Sequence, residues 1–134
     1  MGKKGQTAAR QACPCGGADY SSCCARFHRG EAPQTAEQLM RARYSAYVLG
    51  EWEFVHRTWD ERGRPSLEEL RDDDGGKWLG LEVKRHAQDG DGAVVEFVAR
   101  YKLGGRAHRL HEVSRFERRD GLWIYVDGSF PENK

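Results

Sequence analysis

The four cysteines of the chain lie within one short stretch, CPCGGADYSSCC, and their spacing could hold a metal ion. One residue separates Cys13 from Cys15, and the adjacent pair Cys23 and Cys24 follows after seven more residues. Four thiolates suit a tetrahedral soft-metal site, of which zinc is the usual occupant and iron the alternative. With four protein ligands, no coordination position is left for a substrate. Adjacent ligands can reach one ion only if the backbone turns between them, as at the start of a helix.

Two other interpretations of the cysteines stay open. They could form two disulfides, or they could be reduced structural thiols. Cysteine-rich spacing in a cytosolic chain favours a metal over disulfides. His28 is the nearest substitute ligand, and we interpret it as a surface residue. The sequence therefore predicts a small metal-held segment, or knuckle, over residues 13–30.

Cys13 to Cys24 resembles the SEC-C motif, the metal-binding knuckle at the C-terminal end of the translocase motor SecA and on many other bacterial proteins. The loop between Cys15 and Cys23 is one residue shorter than in the usual motif. The runs LMRARYSAY (39–47), TW (58–59), SRF (114–116) and WIYVDG (123–128) resemble the YchJ family of uncharacterised bacterial proteins. This resemblance implies a SEC-C knuckle followed by a domain of the nuclear transport factor two (NTF2) type, a cystatin-like roll with a curved sheet around helices. The SEC-C likeness also implies a partner in the secretion or translation machinery.

Length and charge limit the classes of protein to consider. The 134 residues suffice for one compact domain with a small appendage. With 22 basic and 21 acidic residues and a net charge of +1, the chain has no general attraction to nucleic acid or membranes. We find no signal peptide and no apolar run approaching the roughly 20 residues of a membrane span, so we expect a cytoplasmic protein. We divide it into a flexible basic arm (1–12), the knuckle (13–30) and an α+β domain (34–130).

Three helices are predicted after the knuckle. Thr35 begins the first with a capping box to Gln38, and Gly50 ends it. The second runs from Trp52 to Arg62, and Ser66 caps a brief third helix. The adjacent acidic residues at 72–74 lack the spaced ligands of a calcium loop, so we interpret them as a solvated loop.

From Lys77 onward the hydrophobic period changes to two, which is typical of strands. Turn signals at 89–92, 104–105 and 120–121 separate four strands, and an antiparallel meander is the simplest arrangement. In the first strand the alternation predicts Leu79, Leu81 and Val83 on the buried face, and Trp78 on the other. Helices followed by a run of strands indicate the α+β class, with helices packed on a curved four-stranded sheet.

Arg43 interrupts the apolar face of the first helix, and an unpaired buried charge is costly. It is therefore either fixed in a salt bridge within the core, with Glu112 or Asp127 as the preferred partner, or it lines a cavity and binds an anion there. A curved sheet closed by helices leaves a pocket, whose predicted residues are Arg43, Trp59, Arg100, Glu112 and Asp127. A His, a carboxylate and a Tyr there could do acid–base chemistry. However, His111 and Glu112 point to opposite faces, and we expect binding rather than catalysis.

Two functions follow from these observations. In the first, the chain is an adaptor whose knuckle docks a protein or ribosomal partner through Tyr20, Arg26, Phe27 and Arg29. In the second, it is a small-molecule-binding protein or an enzyme that uses the pocket near Arg43. An open hydrophobic edge of the sheet is compatible with a homodimer.

Overall fold

The computed structural model describes residues 11–72 and 76–131. A 3-10 turn at Tyr20–Ser22 leads into four helices: α1 (Cys24–His28), α2 (Ala36–Leu49), α3 (Trp52–Arg57) and α4 (Leu67–Arg71). Four strands follow: β1 (Lys77–Asp89), β2 (Gly92–Leu103), β3 (Arg106–Arg119) and β4 (Leu122–Ser129). The predicted α+β class is confirmed. Most of the predicted basic arm, residues 1–10, and residues 73–75 of the acidic loop lie outside the described residues.

The ends of α2 are set by its sequence. The Thr35 hydroxyl accepts a hydrogen bond from the backbone N–H of Gln38, and Gly50 ends the helix with a positive φ of 77°. The capping box is incomplete, because the Gln38 side chain accepts from the N–H of Gln34 instead of Thr35. No helix in the described part of the chain has both the length and the apolar character needed to cross a membrane.

Helix α3 ends at Arg57, earlier than predicted. The Thr58 hydroxyl donates to the carbonyl of Phe54 at 2.7 Å, and the chain then leaves the helix to pair with β4. Tyr125 donates its N–H to the carbonyl of Thr58 and accepts the N–H of Asp60. This tertiary pairing satisfies the backbone groups that a longer helix would have used.

The four strands form an antiparallel meander in the order β1-β2-β3-β4, as predicted. Trp78 pairs with Tyr101 and Gly80 with Arg100, so Leu79 is the extra residue of a β-bulge. The bulge reverses the alternation: Trp78 packs against the core, whereas Leu79 is 50% exposed. The prediction for these two residues was therefore wrong, since it assumed an unbroken period of two.

One hydrophobic core joins the knuckle to the rest of the molecule. Cys13, Cys15, Cys24 and Phe27 belong to the same buried cluster as residues of α2, α3 and the sheet. Helix α2 is buried on two sides, because Met40 and Tyr44 face a cavity and Ser45 faces Cys13. The knuckle is thus packed against the α+β domain, referred to below as the body, and is not a separate appendage.

Candidate functional site

A tight turn and a helix start position the four cysteines. Cys13 donates its N–H to the carbonyl of Gly17, and Gly16 donates to the carbonyl of Cys13, both at 3.0 Å. Cys23 is the N-cap residue of α1, with φ −116° and ψ −109°, and Cys24 is its first residue. The backbone therefore turns between the adjacent cysteines, which brings both thiols to one side.

The four sulfur atoms form a compact cluster. All four Sγ atoms lie within 4.8 Å of one another, and those of Cys15 and Cys23 are 3.6 Å apart. The Cys15–Cys23 distance is well above the length of a disulfide bond, about 2.05 Å, and all four cysteines are free. A tetrahedron with Zn–S bonds of about 2.3 Å has edges of about 3.8 Å, close to the observed separations. The cluster therefore fits one soft metal ion.

Electrostatics within the cluster favour a thiolate. The hydrogen bond from Cys24, followed by bonds from Gly17, Cys13 and Cys23, lowers the pKa of Cys15 to about 5. Burial and the neighbouring Cys15 raise the pKa of Cys23 to about 11, and the hydrogen bond to Cys15 raises the pKa of Cys24 well above its ordinary range. A metal held by all four sulfurs would displace the protons of the last two.

Helix α2 supplies the groups around the cluster. The fully buried Ser45 hydroxyl lies 3.5 Å from Sγ of Cys13. The guanidinium of Arg41 donates through Nη1 to the carbonyl of Cys15 at 3.0 Å and through Nε to Glu37. Outer contacts of this kind orient metal ligands. Sequence reasoning missed Ser45 and Arg41 because it assigned a single buried face to α2.

His28 is not the surface residue that the sequence suggested. Its Nε2 lies 2.9 Å from the carbonyl of Ala42 and must donate there. In the neutral ring Nδ1 then accepts from the Tyr20 hydroxyl at 2.7 Å. Both ring nitrogens are engaged in joining the knuckle to α2, and His28 lies outside the group of metal-ligating atoms.

The predicted partner-binding residues differ in accessibility. Phe27 is 3% exposed and packs in the core, so its assignment to a docking surface was wrong. Tyr20 is half-buried, whereas Arg29 is exposed. Arg26 lies over the Phe27 ring, 4.4 Å from its centroid. Arg57 donates to the carbonyls of Phe27 and His28, which adds a cation at this end of α1 that sequence reasoning missed.

A second candidate site is a cavity of about 460 Å³ between α2 and the sheet. The predicted residues Arg43, Trp59 and Glu112 line it, whereas Arg100 and Asp127 do not. Its walls are mostly aromatic and apolar, formed by Met40, Arg43, Tyr44, Tyr47, Trp59, Trp78, Phe97, Ala99, Leu110, Glu112, Ser114, Phe116, Tyr125 and Phe130. Tyr47 lies four residues after Arg43 and therefore on the same face of α2. This spacing could have predicted Tyr47 as a residue of the cavity wall.

The two misplaced residues lie on the outer face of the sheet. Arg100 is exposed and alternates along β2 with Ala99 of the cavity wall, so the prediction that it lines the pocket was wrong. Asp127 pairs with Arg115 at 2.8 and 2.9 Å. In β4, Val126 is the extra residue of a bulge, because Phe116 pairs with Tyr125 and Arg115 with Asp127. The bulge directs Asp127 outward.

Two buried charges line the cavity. Arg43 donates through Nη1 to the carbonyl of Val55 at 3.0 Å and to the Thr58 hydroxyl at 2.8 Å, and burial lowers its pKa. Glu112 accepts from the hydroxyls of Ser114 at 2.8 Å and Tyr125 at 2.9 Å. Among the described residues, neither Glu112 nor Asp127 forms an ion pair with Arg43, so the predicted direct partner was wrong.

Tyr125 stands between the two charges. Its ring centroid lies 4.4 Å from the Arg43 guanidinium carbon, and its hydroxyl bonds to Glu112. Burial, followed by the charge of Glu112, raises the pKa of Tyr125 above its ordinary range. The hydroxyl therefore stays protonated and serves as a donor. The cavity thus offers a fixed cation and a fixed carboxylate joined by one aromatic ring.

The cluster of four cysteines is followed by an antiparallel sheet that packs against helices. This combination is that of a SEC-C motif protein with an NTF2-like domain. The family model "YchJ, middle NTF2-like domain" matches residues 35–128. The chain belongs to this YchJ family. It is 58% identical over 128 residues to a UPF0225 protein of Cupriavidus metallidurans, covering 90% of this chain and 89% of that one.

Two solved structures of SEC-C motif containing proteins share the fold. One, from Rhodopseudomonas palustris, has a TM-score of 0.82 and 30% identity, over 90% of this chain and 98% of that one. The other, from Psychrobacter arcticus, has a TM-score of 0.78 and 29% identity, over 87% of this chain and 81% of that one. These likenesses support the predicted combination of motif and fold.

Proposed function

We propose that this chain is a zinc-binding protein in which one ion held by Cys13, Cys15, Cys23 and Cys24 fixes the knuckle to the body. The observation that carries the proposal is the convergence of four free thiols at the start of α1. Zinc is favoured over iron because a closed tetrahedral four-thiolate site is typical of structural zinc. Reduced thiols suit the cytoplasm, where we place the protein.

We further propose that the metal-held knuckle is a docking element for an acidic protein partner. Support comes from three cations at the C-terminal end of α1: Arg26, Arg29 and Arg57. This end carries the last carbonyls of the helix, and those of Phe27 and His28 accept hydrogen bonds from Arg57. Arg29 is exposed and is the member best placed to meet a carboxylate.

Elemental analysis tests the metal. Protein purified without chelator under reducing conditions should carry about one zinc ion per chain. Replacement of Cys23 by Ser should reduce that content, whereas replacement of Ser114, a buried residue of the cavity, by Ala should not. A wild-type protein that is fully reduced and folded but holds no metal would refute the zinc site.

Charge reversal tests the docking element. A partner captured from bacterial lysate should be lost with Arg29→Glu and retained with Arg106→Glu, which reverses an exposed arginine at the start of β3. Nuclease treatment should leave the capture intact. Loss after nuclease would identify a ribosomal RNA partner instead, and equal loss with both variants would refute docking through α1.

Homodimerisation at the β1 edge, where Leu79 is exposed, stays a separate prediction for sedimentation analysis.

A second candidate function is small-molecule binding in the cavity. The observation that favours it is the presence of Arg43 and Glu112, 7% and 8% exposed, on the walls of a space of about 460 Å³. Sites of about 300–1,000 Å³ with apolar walls and a few placed polar groups are typical of ligand binding. Saturation of the cavity by any small molecule, detected as shifts of the Trp59 and Trp78 indole signals in NMR spectra, tests this function.

A further inference from the structure

The charges on the cavity wall restrict the kind of molecule that it can hold. Within residues 11–72 and 76–131, the charged side chains that line the cavity are Arg43 and Glu112, and they carry opposite signs. Each is fixed by the fold: Arg43 by Val55 and Thr58, and Glu112 by Ser114 and Tyr125. The wall is therefore balanced in charge before any ligand enters.

A charged ligand would disturb this balance. A buried anion could pair with Arg43, but it would leave Glu112 without compensation; a cation would do the reverse to Arg43. Uncompensated charges are costly away from water. A neutral ligand avoids this cost, and it can use both side chains if it carries an acceptor and a donor.

The hydrogen-bonding capacity of Arg43 and Glu112 determines which polar group a ligand should carry. The hydrogen bonds from Arg43 to Val55 and Thr58 both start at Nη1, and a guanidinium carries three further N–H bonds on Nε and Nη2. The hydroxyls of Ser114 and Tyr125 both donate to Oε2 of Glu112, and a carboxylate has a second oxygen that can accept. The site thus matches a carbonyl beside an N–H or O–H.

We propose that the cavity binds a neutral, largely aromatic molecule bearing a carboxamide-like group, with Arg43 donating to its carbonyl and Glu112 accepting from its N–H. The aromatic part fits walls formed by side chains such as Tyr44, Trp78 and Phe116. This inference rests on the second candidate function, small-molecule binding, and adds the class of ligand to it.

Four probes of one shape test the class: 2-naphthamide, 2-naphthoate, 2-naphthylmethylamine and 2-methylnaphthalene, titrated at pH 7 against wild-type protein. The dissociation constant of 2-naphthamide should be about tenfold or more below that of each other probe. Tightest binding of either charged probe, or equal binding of the hydrocarbon, would overturn the ligand class while leaving small-molecule binding intact. If none of the four binds, the proposed ligand class is refuted as well, and the NMR test of the second candidate function decides small-molecule binding separately.

Glu112→Gln tests the charge balance directly. The variant keeps an acceptor oxygen for Ser114 and Tyr125 but leaves Arg43 as the uncompensated charge of the wall. Affinity for 2-naphthoate should rise about tenfold, and the preference for the amide should be lost. Glu96→Gln, which neutralises a carboxylate bound by Arg85 and His111, is the control and should leave the wild-type order unchanged. An unchanged order in a folded Glu112→Gln protein would overturn the argument; if that variant does not fold, the wild-type titration decides.

Discussion

Gly17 is the residue that leaves room for the cysteine cluster. A Cβ atom at this position would lie 2.8 Å from Sγ of Cys23 and 3.5 Å from Cβ of Cys13. The first distance is shorter than van der Waals contact, so a side chain there would push the Cys23 thiol out of the cluster. The glycine is therefore needed for the close approach of the turn to the sulfurs rather than for its backbone angles.

Gly17→Ala should weaken metal binding about tenfold or more, on the scale of losses caused by disturbed ligand orientation. Competition for zinc with a chromogenic chelator measures the change. Gly63→Ala is the matched control, because its Cβ would meet only Nε1 of Trp59, at the ordinary distance of 3.7 Å. Equal zinc affinity of the Gly17 variant and wild type would show that Cys23 is not a ligand.

Gly128 has the corresponding role beside the cavity. A Cβ at this position would overlap the Glu112 carboxylate, which would have to leave the hydroxyls of Ser114 and Tyr125. Gly128→Ala should cost about 1–3 kcal/mol in the free energy of unfolding, measured by urea denaturation. Gly80→Ala, whose Cβ would meet no atom within 4 Å, should cost much less.

A double-mutant cycle checks the cause of that loss. In the Glu112→Ala background there is no carboxylate to displace, so adding Gly128→Ala should cost less than it does in wild type. Strictly additive effects would contradict the proposed overlap.

Single residues were predictable where their chemistry was unusual for their place. Four clustered cysteines indicated a metal site, and Arg43 in an apolar helix face and Glu112 among apolar strand positions both indicated buried charges. Asp127 was not predictable in the same way, since only the bulge at Val126 turns it outward. A bulge depends on pairing with the neighbouring strand and leaves little trace in the local sequence.

Among the secondary-structure elements, those with local signals were predicted best. Thr35 and Gly50 bound α2, and Ser66 caps α4, as expected. The three turns of the meander also fall where glycine was expected. The end of α3 was not predictable, because it is set by the pairing of residues 58–60 with Tyr125, a contact distant in sequence.

Asp60 connects the segment after α3 to the sheet through its ion pair with Arg119 of β3. The contribution of this ion pair to stability should depend on pH. Hydrogen bonds from Arg62, followed by Arg119, lower the pKa of Asp60 well below its ordinary range. A carboxyl with a lowered folded-state pKa stabilises the fold above its unfolded pKa of about 3.9, and the contribution is lost as the pH falls toward the folded value. Asp60→Asn should therefore unfold at a lower temperature than wild type at pH 7, and the gap should narrow below about pH 4.

Thermal melts of both proteins across this pH range measure the effect. Asp91→Asn serves as the control, since Asp91 pairs with Arg118 at 2.9 Å but its side chain is 74% exposed; exposed pairs contribute little. A gap between Asp60→Asn and wild type that is constant with pH would show that the charge of Asp60 does not stabilise the fold.

For the whole molecule, the main result is that the knuckle and the cavity share one helix. Ser45 of α2 faces the cysteines, while Arg43 of the same helix lines the cavity. The sequence predicted a separate appendage because a single apolar face was assigned to α2. Ser45 and Ala42 are both fully buried and belong to a second buried face of α2. Small residues such as these give only a weak hydrophobic pattern, so the sequence did not predict this face.

Metal removal should consequently affect the body as well as the knuckle. Chelation under reducing conditions should lower the free energy of unfolding by about 3 kcal/mol or more and weaken binding of 2-naphthamide, because α2 loses a fixed neighbour. Thermal melts and NMR titration of the chelated protein measure both effects. Chelated protein with unchanged stability and affinity would show that the two sites are independent.

Substitution of two serines distinguishes effects on the metal cluster from effects on the cavity. Ser45→Ala should weaken metal retention about tenfold and leave the order of probe affinities intact. Ser114→Ala should alter probe binding and leave the metal in place. A reduced metal content in Ser114→Ala would contradict this division.

The position of α2 also has a practical consequence for anyone searching for the natural ligand. Because coupling between two binding events is reciprocal, a molecule that binds beside Arg43 should raise the affinity of the cysteine cluster for its metal ion. The share of metal that the protein keeps at equilibrium against a coloured chelator would then report occupancy of the cavity, and metabolite fractions could be screened by that signal alone.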